Sequence, residues 1–209
     1  MEAGQTLIYE GKQVCLFPLE NMYITQTSSP SSLSHCCGHP VDYGTGGVRT
    51  PCYAPCDLDL IFTGGTGNTH IFTSSDEVWT PKGLTYITLQ FTHDNDPPTA
   101  THYRQGELIY HSGDKGFATG IHLHLDQAPE QNGYWESYGI TCSGGNLCYA
   151  LHNSVQPTEI FFSNGTNIQY SAGYTFEEYE GGTPGHLTDF KKIVLLSKRS
   201  KLNRGVIFQ

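Results

Sequence analysis

The stretch that decides the fold reads FATGIHLHL at residues 117–125. His122 and His124 stand two positions apart in an apolar, strand-prone context, so both imidazoles point to the same side of a β-strand. The rise of a strand sets them about 6–7 Å apart. This spacing suits one metal ligand and one neighbouring group that acts on whatever the metal holds. We therefore predict a strand at residues 121–125 that carries chemistry on one face.

Short β-like runs recur along the chain between dense Gly, Pro, Asn and Asp punctuation. The run ITLQFTH at residues 87–93 alternates, which puts Ile87, Leu89, Phe91 and His93 on one face. Upstream, two further β-like runs flank the turn sequence GGTGN, which predicts a hairpin. These patterns predict a mainly β fold whose antiparallel sheets form a groove with loop-rich walls. Aromatic loops at residues 94–104 and 131–138 are expected to wall that groove.

Length and charge indicate the domain organisation. The 209 residues are enough for one domain with a buried core. Six of the 11 basic residues lie at 191–204, whereas the preceding part has five basic residues against all 20 acidic ones, a net charge near −15. We predict one domain at residues 1–180 and a basic tail or assembly segment at residues 181–209, with either a short helix at 190–201 or an edge strand at 193–196. The acidic body argues against nucleic acid as the main substrate, and no apolar run approaches the ~20 residues of a membrane span.

The seven cysteines leave more than one interpretation open. We favour reduced, buried thiols, since neither the adjacent pair Cys36 and Cys37 nor the spacing of Cys52 and Cys56 resembles a CxxC zinc motif. Alternatively, residues 142 and 148 are both cysteines that flank a Ser-Gly-Gly-Asn turn and are suited to closing a small disulfide loop. A second, thiolate-bound zinc is a weaker alternative.

A run upstream of the histidine strand offers partners for a metal site. The residues SHCCGHPVD supply His35 and Asp42, which with His124 make a His/Asp/His set that leaves a fourth zinc position open. His39 competes with His35, although the proline after it makes it a stiff turn position. His93 ends its strand where it can overlook the same groove. The alternative for His93 is a hydrogen-bonded core histidine, the commoner state of a lone histidine on an apolar face.

Three segments resemble motifs of the lysostaphin/LytM-type zinc metalloendopeptidases, which cut peptide cross-links of bacterial peptidoglycan. They are TGIHLHL at 119–125, QGELIYHSGDKG at 105–116 and YAPCD at 53–57. The resemblance implies the lysostaphin-type peptidase fold for residues 1–180. It implies Zn²⁺ as the cofactor and peptidoglycan stem peptides or cross-bridges as the substrate.

Carried over by position, the resemblance implies that zinc is held by His35, Asp42 and His124, with His93 and His122 as the catalytic pair. The spacing of seven from His35 to Asp42 departs from the four that is usual in the family. This spacing is closer to that of domains in tail-tip and lytic proteins of short-tailed phages that infect Gram-positive bacteria. Since the sequence does not begin with a secretion signal, we expect the protein in a virion tail, beside other virion proteins, or released from the host cytoplasm to the cell wall.

Two rival interpretations differ from this one. Ser34, His35 and Asp42 also resemble an element of zinc D-Ala-D-Ala peptidases, but those enzymes take a third ligand from a Glu-x-x-His element that this sequence lacks. The other rival is a structural or tail-tip protein of the virion, whose peptidase-like domain binds or plugs without cutting. Its acidic body and basic tail would then be assembly surfaces.

Overall fold

A computed structural model of the protein describes residues 1–163 and 167–170. Its strands are β1 (Ile8–Tyr9), β2 (Lys12–Gln13), β3 (Asn21–Gln26), β4 (Val41–Gly44), β5 (Pro51–Tyr53), β6 (Leu58–Gly64), β7 (Thr69–Ser74), β8 (Val78–Thr80), β9 (Gly83–Thr85), β10 (Thr88–Thr92), β11 (His102–Tyr103), β12 (Leu108–His111), β13 (His122–Ala128), β14 (Trp135–Thr141), β15 (Leu147–Leu151) and β16 (Asn167–Tyr170). A single turn of helix, α1 (Pro157–Ile160), lies between β15 and β16. The basic tail expected at 181–209 lies outside the described residues.

Eight strands form the main sheet, in the order β11-β6-β7-β10-β13-β4-β3-β16. Neighbouring strands are antiparallel except for β16, which pairs with β3 in parallel. The mainly β class and the antiparallel sheets predicted from the sequence are therefore confirmed, as is the hairpin of β6 and β7 around GGTGN. No helix within the described ranges is long and apolar enough to cross a membrane.

Strand β13, which carries the histidines, lies near the middle of this sheet. Its neighbours are β10, where Thr92 pairs with His124, and β4, where Asp42 pairs with the same residue. Leu123 and Leu125 are fully buried on the core side, each contributing on the order of 2 kcal/mol from apolar burial. A slip of one residue would expose both leucines and bury the histidines, so the hydrophobic pattern fixes which face carries the imidazoles.

The hairpin of β14 and β15 is cross-linked to the segment that joins β3 to β4. Cys36 bonds Cys142, and Cys37 bonds Cys148. The predicted reduced state is therefore wrong for these four cysteines, and so is the alternative of a small Cys142–Cys148 loop. The turn between those two cysteines is closed by backbone bonds such as that from the Cys142 N–H to the Asn146 carbonyl, and both sulfurs face the adjacent pair. The other three cysteines, at positions 15, 52 and 56, are free and buried, as predicted.

Candidate metal centre

Three predicted ligands, His35, Asp42 and His124, converge at the end of the central strands. His124 Nδ1 lies 3.0 Å from His35 Nε2 and 3.1 Å from Asp42 Oδ1. His35 Nε2 lies 3.3 Å from the same carboxylate oxygen. His35 and Asp42 are 2% and 8% exposed, so two nitrogens and an anionic oxygen meet almost out of contact with solvent.

The donor set of this cluster fits a zinc ion. Ligand atoms about 2.0–2.2 Å from a common centre at tetrahedral angles would stand about 3.3–3.6 Å apart, slightly more than the 3.0–3.3 Å observed among His35, Asp42 and His124. Neutral imidazole nitrogens and a carboxylate all present lone pairs to the space between them. Such a cluster is stable only with a proton or a cation between its members. Two nitrogens and one oxygen suit zinc better than calcium or magnesium, which prefer oxygen ligands.

The electrostatics of Asp42 follow from its two imidazole neighbours. Burial works against the charged carboxylate, but His35 and His124 outweigh burial and hold the pKa of Asp42 well below its usual range. The carboxylate is therefore ionised at any pH at which the protein would work. It supplies the one negative charge of the cluster.

Sheet register and a loop position the three side chains by different means. Asp42 and His124 are cross-strand neighbours, so the β-ladder alone sets their approach. His35 comes from the irregular segment between β3 and β4. Its N–H donates to Ser32 Oγ at 2.8 Å, and its carbonyl accepts from the Ser29 N–H at 2.9 Å. These local bonds shape the turn that carries the imidazole.

His93 and His122 lie next to this cluster. Their ring centroids are 4.4 Å apart, and that of His93 is 5.9 Å from His124. His122 Nε2 is 3.6 Å from Asp42 Oδ1. The five side chains singled out from the sequence are thus brought together.

Both neighbouring histidines are oriented through Nδ1. His93 Nδ1 donates to the Lys115 carbonyl at 2.7 Å, and His122 Nδ1 donates to the Gly120 carbonyl at 2.8 Å. Because a carbonyl only accepts, each neutral ring keeps its proton on Nδ1 and its lone pair on Nε2. Burial, then the nearby His124, lower the pKa of His93 to about 4. His93 is therefore neutral at neutral pH and able to accept a proton.

The face of His93 differs from the one that strand alternation predicts. Alternation puts His93 on the core face with Phe91, but β10 ends at Thr92 and His93 has a φ of 92°. This left-handed conformation is rare for a residue with a side chain. It turns the imidazole away from the core and towards His122. The prediction of the face is wrong, although the expectation that His93 overlooks the groove agrees with the contacts.

Tight loops impose this conformation. The His93 N–H donates to the Gly67 carbonyl at 2.8 Å, and the His93 carbonyl accepts from the Lys115 N–H at 3.1 Å. A Cβ at Gly113 would lie 2.0 Å from the His93 carbonyl oxygen, so only glycine fits there. Sequence reasoning missed the roles of these loops. The available signal was the density of glycine in GGTGN and SGDKG.

Two other clusters do not join the metal centre. His39, considered as an alternative ligand, donates its N–H to Ser154 Oγ, and its ring contacts the Gln156 side chain. Asp94 and Asp96 approach each other near His111, but the guanidinium of Arg49 binds both carboxylates. The positive charge of Arg49 therefore already neutralises part of the charge of this acidic pair.

A cavity of about 600 Å³ opens at the end of β4, where Gly44 pairs with His122. Its lining includes Tyr23, Gly44 and Gly120, and none of the lining residues within the described ranges is charged. None of the five predicted site residues lines this cavity, and the aromatic loops at residues 94–104 and 131–138 do not line it either. The walls come instead from β3 and from the glycine-rich turn after β4.

Relatives by sequence include a phage protein. "Morphogenesis protein 1" of Bacillus phage B103 is 31% identical over 172 residues, which are 80% of this chain and 45% of that protein. The chain thus spans less than half the length of this relative. No model of a protein family matches the sequence.

Solved structures that resemble this one include peptidases. Lysostaphin from Staphylococcus simulans is 20% identical with a TM-score of 0.46, over 80% of this chain and 57% of that chain. Its separate catalytic domain is 19% identical with a TM-score of 0.39, over 51% and 80%. A zinc-containing peptidase from Vibrio cholerae is 17% identical with a TM-score of 0.38, over 58% and 42%. Among known proteins, this chain is similar in structure to lysostaphin and other M23 peptidases and homologous in sequence to a phage morphogenesis protein.

Proposed function

We propose that this protein is a phage-encoded, zinc-dependent endopeptidase that hydrolyses peptide cross-links of bacterial peptidoglycan. The observation that carries the proposal is the convergence of His35, Asp42 and His124 on one point, with His93 and His122 beside it. These five residues come from three separate stretches of the sequence, 35–42, 93 and 122–124, and a structural role for the fold does not require their polar atoms to meet.

His35, Asp42 and His124 would hold the ion through Nε2, a carboxylate oxygen and Nδ1. Zinc, when bound, supplies Lewis acidity that polarises a carbonyl group and lowers the pKa of water towards neutrality. The charge of Asp42 offsets one of the two positive charges of the ion. The remaining charge favours an electron-rich carbonyl at the open side of the cluster.

His93 and His122 would manage protons and charge at the scissile amide. Each ring has its Nδ1–H tied to a carbonyl, so each turns Nε2 towards the groove in a fixed tautomer. Because burial lowers the pKa of His93, its ring is neutral at neutral pH. The free lone pair on Nε2 can then take a proton from an attacking water. Once protonated, either ring is a donor that stabilises an oxyanion or delivers a proton to the leaving amine.

The proposed substrate rests on the motifs at residues 53–57, 105–116 and 119–125 and on the phage relative. The cavity at Gly44, whose lining residues in the described part of the chain are all uncharged, suits uncharged segments of a peptide. The name of the relative, a morphogenesis protein, favours placement in a virion, where an enzyme of this kind would open the wall during entry.

The test is hydrolysis of purified bacterial cell walls by the full chain, with and without a zinc chelator. We expect clearing of the walls and release of new amino termini by the untreated protein, and neither after chelation. His124→Ala should remove stoichiometric zinc and wall hydrolysis together. His39→Ala is the matched control, since it changes a histidine in the same segment as His35 but outside the cluster, and it should keep both.

Clearing that survives chelation, or full activity in His124→Ala, would overturn the proposal. The second candidate function, a virion protein that binds walls without cutting, is favoured by the name of the relative alone. It predicts zinc binding and sedimentation with walls but no new amino termini.

A further inference from the structure

We propose that the disulfides Cys36–Cys142 and Cys37–Cys148 position His35, so that the metal centre is complete only in the oxidised protein. This inference rests on the proposed function in one respect, the assignment of His35 as a ligand. The four cysteines would then be positioning residues for the metal site.

His35 is the ligand that the sheet does not hold. Asp42 and His124 are locked by pairing between β4 and β13, but His35 lies in the segment between β3 and β4, outside any strand. Its Nδ1 is buried without a hydrogen-bond partner in the described part of the chain. A metal-binding histidine is usually oriented through its second nitrogen. Here the orientation must come from the backbone on either side of His35.

The two residues immediately after His35 supply that restraint. Cys36 and Cys37 are both bonded to the β14–β15 hairpin, across 106 and 111 residues of sequence. Cys37 forms a separate buried cluster with Cys142, Cys148 and Ala150, and the partly buried Cys36 packs against it. Next in the chain, Gly38 lies so close to the hairpin that a Cβ on it would be 2.4 Å from the Ala150 methyl carbon.

The hairpin is itself anchored to the strand that carries His124. The buried Asp126 of β13 accepts the Leu151 N–H at 2.8 Å and a hydrogen bond from Ser154 Oγ. Leu151 also packs with Ile71 and Ala128 of the main sheet. The strand that carries His124 is thus hydrogen-bonded to the hairpin through Asp126, and the hairpin is covalently bonded to the two residues after His35.

Few other contacts hold the segment that carries His35 against the hairpin turn. The Ser143 N–H and the Gly144 N–H donate to the carbonyls of Ser32 and Leu33 at 3.2 Å each. The Ser143 hydroxyl also donates to the carbonyls of Ser31 and Ser32. Bonds of this kind at an exposed surface contribute about 1 kcal/mol each. Without the disulfides, the residues around His35 would regain conformational freedom, although His39 stays bonded to Ser154, and His35 would spend less time within reach of Asp42 and His124.

Reduction of each disulfide takes two electrons and two protons from a dithiol, which becomes a disulfide in turn; oxidation reverses the exchange. In a reducing compartment the four cysteines would be thiols, and the affinity for zinc would be low. In an oxidising medium the cross-links form and His35 is held in place. The expected loss of affinity is about 10–100-fold, the range for removing groups that orient a metal ligand.

The test compares the zinc affinity of the full chain with that of a variant in which all four cysteines are serine: Cys36→Ser, Cys37→Ser, Cys142→Ser and Cys148→Ser. Replacing all four leaves no thiol of the cluster to bind the metal. Free Zn²⁺ is the probe, titrated against a chromogenic chelator. We expect at least tenfold weaker binding by the variant. The matched control is Ser143→Ala, which loses side-chain bonds to the same segment but keeps both cross-links, and it should bind within about twofold of wild type.

A second measurement covers the case in which the serine variant fails to fold. Wild-type protein is reduced with a phosphine, and its accessible thiols are capped with iodoacetamide before the zinc titration. Equal affinity of the oxidised and capped proteins, or of wild type and the serine variant, would overturn the inference and leave the proposed function standing. An oxidised wild type that binds no zinc would instead refute the assignment of His35 and with it the proposed function.

Discussion

His93 makes the stability of the metal-free protein depend on pH in a way that can be isolated. In the unfolded chain its pKa is about 6.5, whereas burial, and after it the nearby His124, lower the pKa in the folded protein to about 4. The folded state therefore binds a proton less readily than the unfolded state. The contribution of neutral His93 to the free energy of unfolding is fully present above pH 6.5 and is lost as the pH falls towards 4.

The size of this effect follows from the two pKa values. One unit of pKa difference corresponds to about 1.4 kcal/mol, so the full loss below pH 4 is roughly 3 kcal/mol. At pH 5, where the unfolded chain is protonated and the folded protein is not, the loss is about 2 kcal/mol. Since His93 is only 6% exposed, solvent screening does not remove it.

Urea unfolding of the chelator-treated protein at pH 7 and pH 5 measures this quantity, compared with His93→Gln under the same conditions. Glutamine keeps a donor for the Lys115 carbonyl but does not titrate. Wild type should lose about 2 kcal/mol more than the variant between the two pH values, because all other groups titrate in both proteins. Equal losses would show that His93 is not buried as a neutral imidazole, and our account of its protonation state would be wrong.

Two further predictions concern the neighbouring residues. His122→Ala should retain one bound zinc by metal analysis but lose about 10²–10⁴-fold in the rate of wall hydrolysis, as for removal of an acid–base group; unchanged turnover would mean that His122 has no part in the chemistry. Gly113→Ala forces a methyl against the His93 carbonyl and should cost roughly 3 kcal/mol, a fall in Tm of about 10 °C for a chain of this size. Gly120→Ala, whose added Cβ would meet nothing within 4 Å, is the control and should melt close to wild type.

The face of β13 could be predicted from sequence because two leucines alternate with two histidines. Leu123 and Leu125 are stable only in the core. Because side chains alternate along a strand, His122 and His124 must then lie on the opposite face. The same reasoning failed one residue beyond β10. His93 follows an alternating run, yet its orientation is set by Gly67 and Gly113, which contact it from other loops.

The cysteines illustrate a different limit. A turn between Cys142 and Cys148 is visible in the sequence, and it made a local bond between them plausible. Pairing with Cys36 and Cys37 depends on how the hairpin packs across the segment between β3 and β4. No local pattern encodes that contact, because more than 100 residues separate the partners.

The sequence by itself determined the β architecture and the chemistry available, since periodic burial and the side chains of His35, Asp42, His93, His122 and His124 are local properties of the chain. Only the tertiary structure decided that these side chains meet, how His93 is turned and which cysteines join. Those outcomes depend on loops that the sheet brings together from distant parts of the chain, and their geometry is set by close packing rather than by the pattern of any single segment.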